Sequence, residues 1–159
     1  MARQTGEKLV AENRKARHDY FIDERFECGI VLSGAEVKSL RDGKVQLRDS
    51  YARITRRGEV VLVGVHIAAY GHATNEVIDP DRERKLLLHR AEIDRLGGKV
   101  RERGFTLVPT RIYFKDGRAK VEIGLARGKE QRDKRDSIKR AEGQREIERV
   151  MKSRARNAR

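Results

Sequence analysis

Four histidines, one cysteine, several hydroxyls and 25 carboxylates are the groups in this chain that could carry covalent or metal chemistry. Nucleophilic catalysis needs a nucleophile, a base and an orienting group in one place, and neither Ser50 nor Cys28 sits in a recognisable elbow. Cys28 alternates with Phe26 and Ile30, the setting of a small apolar core residue rather than a reactive thiol. His66, inside an apolar run, likewise reads as a packed residue. Zinc would need closely spaced Cys/His groups, whereas His18, His66, His72 and His89 are scattered. Glycines punctuate turns and caps and form no phosphate-cradling loop. The expectation is a chain that is not an enzyme and uses no metal or cofactor.

Binding is the chemistry that remains. In "NRKARHDYF", Arg14, Lys15 and Arg17 stand beside His18, Tyr20 and Phe21, cations for phosphates next to flat rings that could stack on a base. The competing reading is that Tyr20 and Phe21 simply begin the first strand and enter the core. Lys38, Arg41, Lys85 and Lys120 add cations to the body, each a weak signal because solvated basic faces are common. The segment from Gly128 to Arg159 contains no Phe, Tyr, Trp, Leu or Pro. Within it Ile147, Val150 and Met151 recur at i, i+3, i+4 among Arg145, Arg149, Lys152 and Arg156, a latent amphipathic helix weakened by Gly143. Such a segment suits ordering inside a polyanionic groove, or it is a solubilising tail that never orders.

Elements that could position these groups follow from periodicity. "YFIDERFECGIVL" alternates as a half-buried strand, and "SGAEVKSLRDGK" reads as a short helix opened by a Ser33/Glu36 capping box, with Lys38 and Arg41 on its outer side. "DSYARITRRGEVVLVGVHI" predicts a hairpin around "RRGE" with a central strand at Val60 to Val65, and residues 68–84 predict a loop. "KLLLHRAEIDRLGGKVRERG" reads as a short strand entering a helix with Ile93, Leu96 and Val100 inward and Gly104 closing it. Asp116-Gly117 joins two alternating runs as a hairpin, because both residues tolerate positive φ. About six strands and two or three helices without a βαβ rhythm predict a mainly β (α+β) fold. The favoured form is a small closed antiparallel barrel of oligonucleotide-binding-like type.

Charge points the same way. The 159 residues carry a formal net charge of +13, and 40% are charged, a balance that attracts polyanions. Positive charge is densest at both ends, while all eight aromatic residues lie between Tyr20 and Phe114. Residues 1–127 are thus expected to form the RNA-binding body, with 1–12 flexible, and 128–159 a tail disordered when free. A lone cysteine and the absence of a long apolar run predict a reducing, cytoplasmic setting and no membrane partner.

The blocks "NRKARHDYFIDERFECGIVLSGAEVKSLRDGKVQLRDSYA", "DPDRERKLLL" and "GKEQRDKRDSIKR" together resemble the bacterial SsrA-binding protein (SmpB, small protein B) family, over about Asn13 to Lys152. The resemblance implies an oligonucleotide-binding-type barrel without enzymatic activity. It also implies binding to the tRNA-like domain of transfer-messenger RNA (SsrA RNA) and delivery of that RNA to stalled ribosomes in trans-translation. The tail would fold as a helix in the empty mRNA channel near the decoding centre of the small subunit, and elongation factor Tu would be an indirect partner through the charged RNA.

Carried over by position, the resemblance implies an RNA face of Asn13, Lys15, Arg17, His18, Glu27, Leu87 and Lys120, to which the cation reading adds Lys38, Arg41 and Lys85. A carboxylate such as Glu27 can accept from base edges or a 2′-hydroxyl. Tail positions implied on the ribosome are Lys129, Arg132, Asp133, Lys134, Arg135, Ile147, Val150, Met151 and Lys152. Lys134 and Arg135 would meet phosphates, and Asp133 would orient them or cap a helix. Glu130 and Arg132 stand where the family often has Lys and His, so a cation is lost at one and a guanidinium plane replaces a ring at the other. The rival readings are a structural ribosomal or general RNA-binding protein of the same barrel type, and a nuclease or RNA-modifying enzyme.

Overall fold

A computed structural model describes residues 6–70, 78–101, 105–129 and 131–157, the side chains of 131–139 and 156–157 excepted. Its elements are β1 (Glu7–Glu12), α1 (Arg14–Asp19), β2 (Tyr20–Ile30), α2 (Gly34–Arg41), β3 (Val45–Gln46), β4 (Tyr51–Ile54), β5 (Val60–Val63), β6 (His66–Ile67), β7 (Arg84–Leu87), α3 (Arg90–Val100), β8 (Phe105–Lys115), β9 (Arg118–Gly128) and α4 (Gln131–Asn157). The chain divides into two compact units, Met1–Gly128 and Lys129–Arg159.

In the first unit every strand pairing is antiparallel, and neighbours run β1-β8-β4-β5-β7-β2-β9. A further β8–β9 pairing returns the order to β8, while β3 and β6 form a separate two-stranded ladder. The fold is mainly β with several helices. Inward residues of the long strands, among them Cys28, Leu62, Leu86, Ile112, Val121 and Ile123, build the core. Leu40 of α2 and Leu96 of α3, both fully buried, plug it from the helices.

Local sequence explains most of these boundaries. The Ser33 side chain accepts from the Glu36 N–H and Glu36 accepts from the Ser33 N–H, so the capping box opens α2. Asp116 and Gly117 take φ of 50° and 78° in the β8–β9 hairpin. The run read as one strand from Val60 to Val65 breaks instead at Gly64. Its φ is 84°, and an added Cβ would lie 3.1 Å from the Asp49 carbonyl oxygen. The chain then leaves β5, and β6 pairs with β3.

Residues 7–12, expected to be flexible, form β1 against β8, because Val10 and Ala11 pack on the core. His66 is not a packed core residue: its side chain is 42% exposed and its Nδ1 lies 2.8 Å from Asp81 Oδ1. Gly104, His72 and Glu130 lie outside the described residues.

An ion-paired cluster ties the segment before β7 to α2. Arg84, fully buried, donates through Nε to Glu36 at 2.7 Å and through its Nη atoms to the carbonyls of Val65 and Pro80. Arg82 also donates to Glu36. Burial raises the Glu36 carboxyl, but the Arg82 guanidinium, the Ser33 N–H and Arg84 outweigh it and hold the group below the ordinary range. This clamp fixes the approach to β7 and hence the position of Leu87.

α4 forms the second unit. This segment, expected to be disordered when free and helical on the ribosome, has its helix in the structure over 27 residues. It is rich in Arg, with Lys and Glu next, all good helix formers. Its described side chains, from Arg140 to Ala155, are exposed.

Candidate nucleic-acid interface

Gly29 of β2 is the hinge of the site. It pairs with Leu87 of β7 on one side and with Lys120 of β9 on the other. A side chain at Gly29 would put its Cβ 3.2 Å from the Leu87 Cβ, so glycine leaves the outer face open there. Leu87 is 52% exposed and Val31, just beyond, 46%. Glu27 lies two residues back along β2 on the same face. Three residues far apart in sequence, Glu27, Leu87 and Lys120, are thus neighbours on one outward patch. An acid, an apolar side chain and a cation around bare backbone can accept from a hydroxyl, cover a sugar or base, and meet a phosphate.

Glu27 is held in place. The Tyr113 hydroxyl and the Lys115 ammonium both donate to it, and the Tyr113 hydrogen bond, working against burial, keeps the carboxyl below its ordinary range. Lys85, outward on β7, pairs with Glu59 at 3.3 Å.

A second group gathers on α1, at the other end of β2. Asn13 is only 6% exposed: its carbonyl accepts from the Ala16 N–H, and its amide donates to the Leu47 and Pro109 carbonyls. It therefore caps and anchors α1 rather than facing outward. Lys15 pairs with Asp49 at 2.5 Å, Arg17 with Glu12 at 3.5 Å, and His18 with Asp19 at 3.0 Å. These are surface pairs, weak enough to be exchanged for phosphates. Beside α1 runs a groove of about 420 Å³ whose walls include Lys15, Tyr20, Asp49 and Tyr51.

Tyr20 is partly buried against Ala16, Val108 and Ala126, whereas Phe21 and Tyr51 are 42% and 44% exposed. The outward rings here are therefore Phe21, one of those expected to be able to stack on a base, and Tyr51, for which the sequence carried no such expectation. Strand alternation from the buried Ala52 could have marked Tyr51. Gly29 lies nine positions beyond Tyr20 on β2, roughly 30 Å along the strand, so the α1 group and the Gly29 patch are distinct.

Lys38 and Arg41 are exposed on α2, with Lys38 5.4 Å from the Tyr70 ring centre and Arg41 5.8 Å from that of Phe114. In the second unit Ile147, Val150 and Met151 are 53%, 47% and 68% exposed, and Lys152 is exposed beside them. Arg132, Asp133, Lys134 and Arg135 lie in α4, their side chains outside those described, and Lys129 precedes the helix half-buried. Among the described residues no cluster of His, Cys, Asp and Glu could hold a metal ion, and no helix is long and apolar enough to cross a membrane.

Comparison with known proteins places this arrangement. The chain is 53% identical to an SsrA-binding protein of Geobacter sulfurreducens over 96% of its own length and 99% of that protein. It is 56% identical to an SsrA-binding protein of Kineococcus radiotolerans over 97% of its length and 98% of that protein. A solved structure described as "tmRNA-SmpB: a journey to the center of the bacterial ribosome" contains a chain that is 51% identical, with a TM-score of 0.65, covering 82% of this chain and 95% of that one. The family model that spans residues 10–153 is that of SmpB protein, and the chain belongs to that family.

Proposed function

We propose that this chain is an RNA-binding adaptor of ribosome rescue, without catalytic activity and working in the cytoplasm. Its body binds the tRNA-like domain of transfer-messenger RNA, and the complex is delivered to stalled ribosomes for trans-translation. The observation that carries the reading is the register at Gly29, which gathers Glu27, Leu87 and Lys120 onto one open face. Membership of the SmpB family and likeness to a chain of a tmRNA-SmpB structure support the choice of RNA. The return of the strand order through β8–β9 supports reading the body as a closed barrel of the oligonucleotide-binding type, a rigid platform for folded RNA.

The tail has a separate role in this reading. Twelve Lys and Arg against six Asp and Glu from Gly128 to Arg159 suit a polyanionic channel, and the apolar stripe on α4 lacks a described partner that buries it. Free in solution the helix frays, and it forms fully in the empty mRNA channel, where rRNA phosphates cancel its self-repulsion. Deletion of Gly128 to Arg159 tests the division. Binding to transfer-messenger RNA is expected to persist while tagging of stalled peptides is abolished; loss of both together overturns it. A body equally avid for bulk rRNA or tRNA would favour a general RNA-binding protein instead.

A further inference from the structure

Between the β4–β5 turn and α3 lies a groove of about 390 Å³ that shares no lining residue with the α1 group or the Gly29 patch. Arg56 and Arg57 of the turn, and Arg90 and Arg101 at the two ends of α3, line it, and Asp94 is the one carboxylate among its described lining residues. Arg90 pairs with Asp94 at 3.5 Å, both largely exposed. Arg56, Arg57 and Arg101 make no ion pair among the described residues. Guanidinium groups crowded around one carboxylate repel each other, a cost that an entering polyanion removes.

The floor of the groove gives a second, independent sign. Gly97 and Gly98 are consecutive inside α3, where glycine is less favourable than alanine. At Gly97 an added Cβ would meet Ile54 at 3.9 Å, but at Gly98 it would meet nothing within 4 Å, so packing within the body does not require glycine there. Bare helix backbone lining a basic groove leaves room for another backbone to come close.

Position supplies the third. Val60 pairs with Leu86, so the β4–β5 turn begins beside Leu87, and Arg90 follows Leu87 by three residues. Two of the groove's walls therefore begin within a few residues of Leu87. We propose that the groove clamps the phosphodiester backbone of the same folded RNA that engages the Glu27–Leu87–Lys120 patch, so this inference rests on the function proposed above. Planar guanidinium groups match phosphate oxygens two at a time, and a glycine floor admits the sugar-phosphate chain.

The test is the full-length chain carrying Arg56→Gln, Arg57→Gln and Arg101→Gln, titrated by fluorescence anisotropy against the tRNA-like domain of transfer-messenger RNA at several salt concentrations. Affinity at physiological salt is expected to fall tenfold or more, and the slope of log K against log salt to become shallower by about two, since each lost phosphate contact removes ~0.7–0.9. Gly98→Ala is expected to raise Tm by about 2–4 °C while weakening RNA binding, a pair of signs that a purely structural glycine would not produce. Unchanged affinity and slope in the arginine variant overturn the proposal. The double variant Leu87→Ala with Lys120→Ala separates the two levels. If it loses binding while the arginine variant keeps it, the groove alone is refuted; if both bind as wild type, the RNA face itself falls.

Discussion

The hydroxyl of Tyr113 donates to Oε2 of Glu27 at 2.6 Å, reaching across β9 from a ring that is 1% exposed in β8 to a carboxylate on the surface of β2. The bond lowers the Glu27 carboxyl below its ordinary range, and it adds to the burial that chiefly raises the Tyr113 phenol. Tyr113→Phe keeps the ring and removes the donor. The Glu27 titration midpoint, followed by NMR of its side-chain carboxyl, is expected to move up towards ~4.3. RNA affinity at neutral pH is expected to drop severalfold, because an ionised but unanchored carboxylate loses its aim. An unmoved midpoint would show that the hydrogen bond does not set the acid's state.

Gly29→Val tests the hinge of the patch. A Cβ there is already 3.2 Å from the Leu87 Cβ, and two further methyls displace Leu87 from its outward position. The expected outcome is a folded protein, with circular dichroism unchanged, whose RNA binding is weaker by roughly tenfold, about 1.4 kcal/mol. Wild-type affinity would mean that the open face at Gly29 is not where RNA comes close.

What the sequence made legible is what local rules control. The Asp116-Gly117 hairpin, the Ser33/Glu36 capping box and the inward placement of Cys28 each follow from a few adjacent residues, and the structure has all three. Register is another matter. That Leu87 and Lys120 meet across Gly29 depends on two ladders joining strands remote in sequence, and no local pattern fixes both. The same holds for Arg84, which reads as one more surface cation until Glu36, 48 residues away, is seen to bury it. β1 carries little sequence signal because its six residues include only three apolar ones, two of them partly buried. His66 sits in an apolar run that implies burial, but Gly64 turns the chain before it and leaves it half exposed.

Glu36→Gln removes the negative charge beneath two arginines while keeping the side chain's shape. Arg84, fully buried, is then left without a counter-ion, and breaking such a pair costs about 3–5 kcal/mol. Because the folded carboxyl is depressed, its contribution is fully present above the unfolded value of ~4.3 and is lost as pH falls through the lower folded value. Wild-type stability measured by urea denaturation should therefore decline more steeply on acidification below about pH 5 than that of Glu36→Gln. Parallel pH profiles would remove Glu36 from the acid response.

Cys28 gives a chemical readout of the core. Burial, with Glu92 and Glu27 adding to it, pushes the thiol up to about 12, so almost no thiolate exists at pH 8. Iodoacetamide is expected to leave the native protein unmodified for hours and to alkylate it fully in denaturant, as read by intact mass. Rapid labelling of the native chain would mean that β2 opens readily.

The apolar stripe of α4 separates the two jobs of the molecule. Ile147, Val150 and Met151 recur on one helix face and are all about half exposed or more, so truncating them removes little that the free protein buries. Replacing all three with alanine preserves helix propensity and charge while removing the surface that would dock in the channel. The triple variant should match wild type in Tm to within about 1 °C, since exposed apolar truncations cost little, and should bind transfer-messenger RNA equally well. Tagging of stalled peptides in a reconstituted translation system should fall by roughly tenfold or more, the loss that about 1.4 kcal/mol of docking energy implies. Full tagging by this variant would leave charge alone to hold the tail, and the stripe would then have no part in rescue.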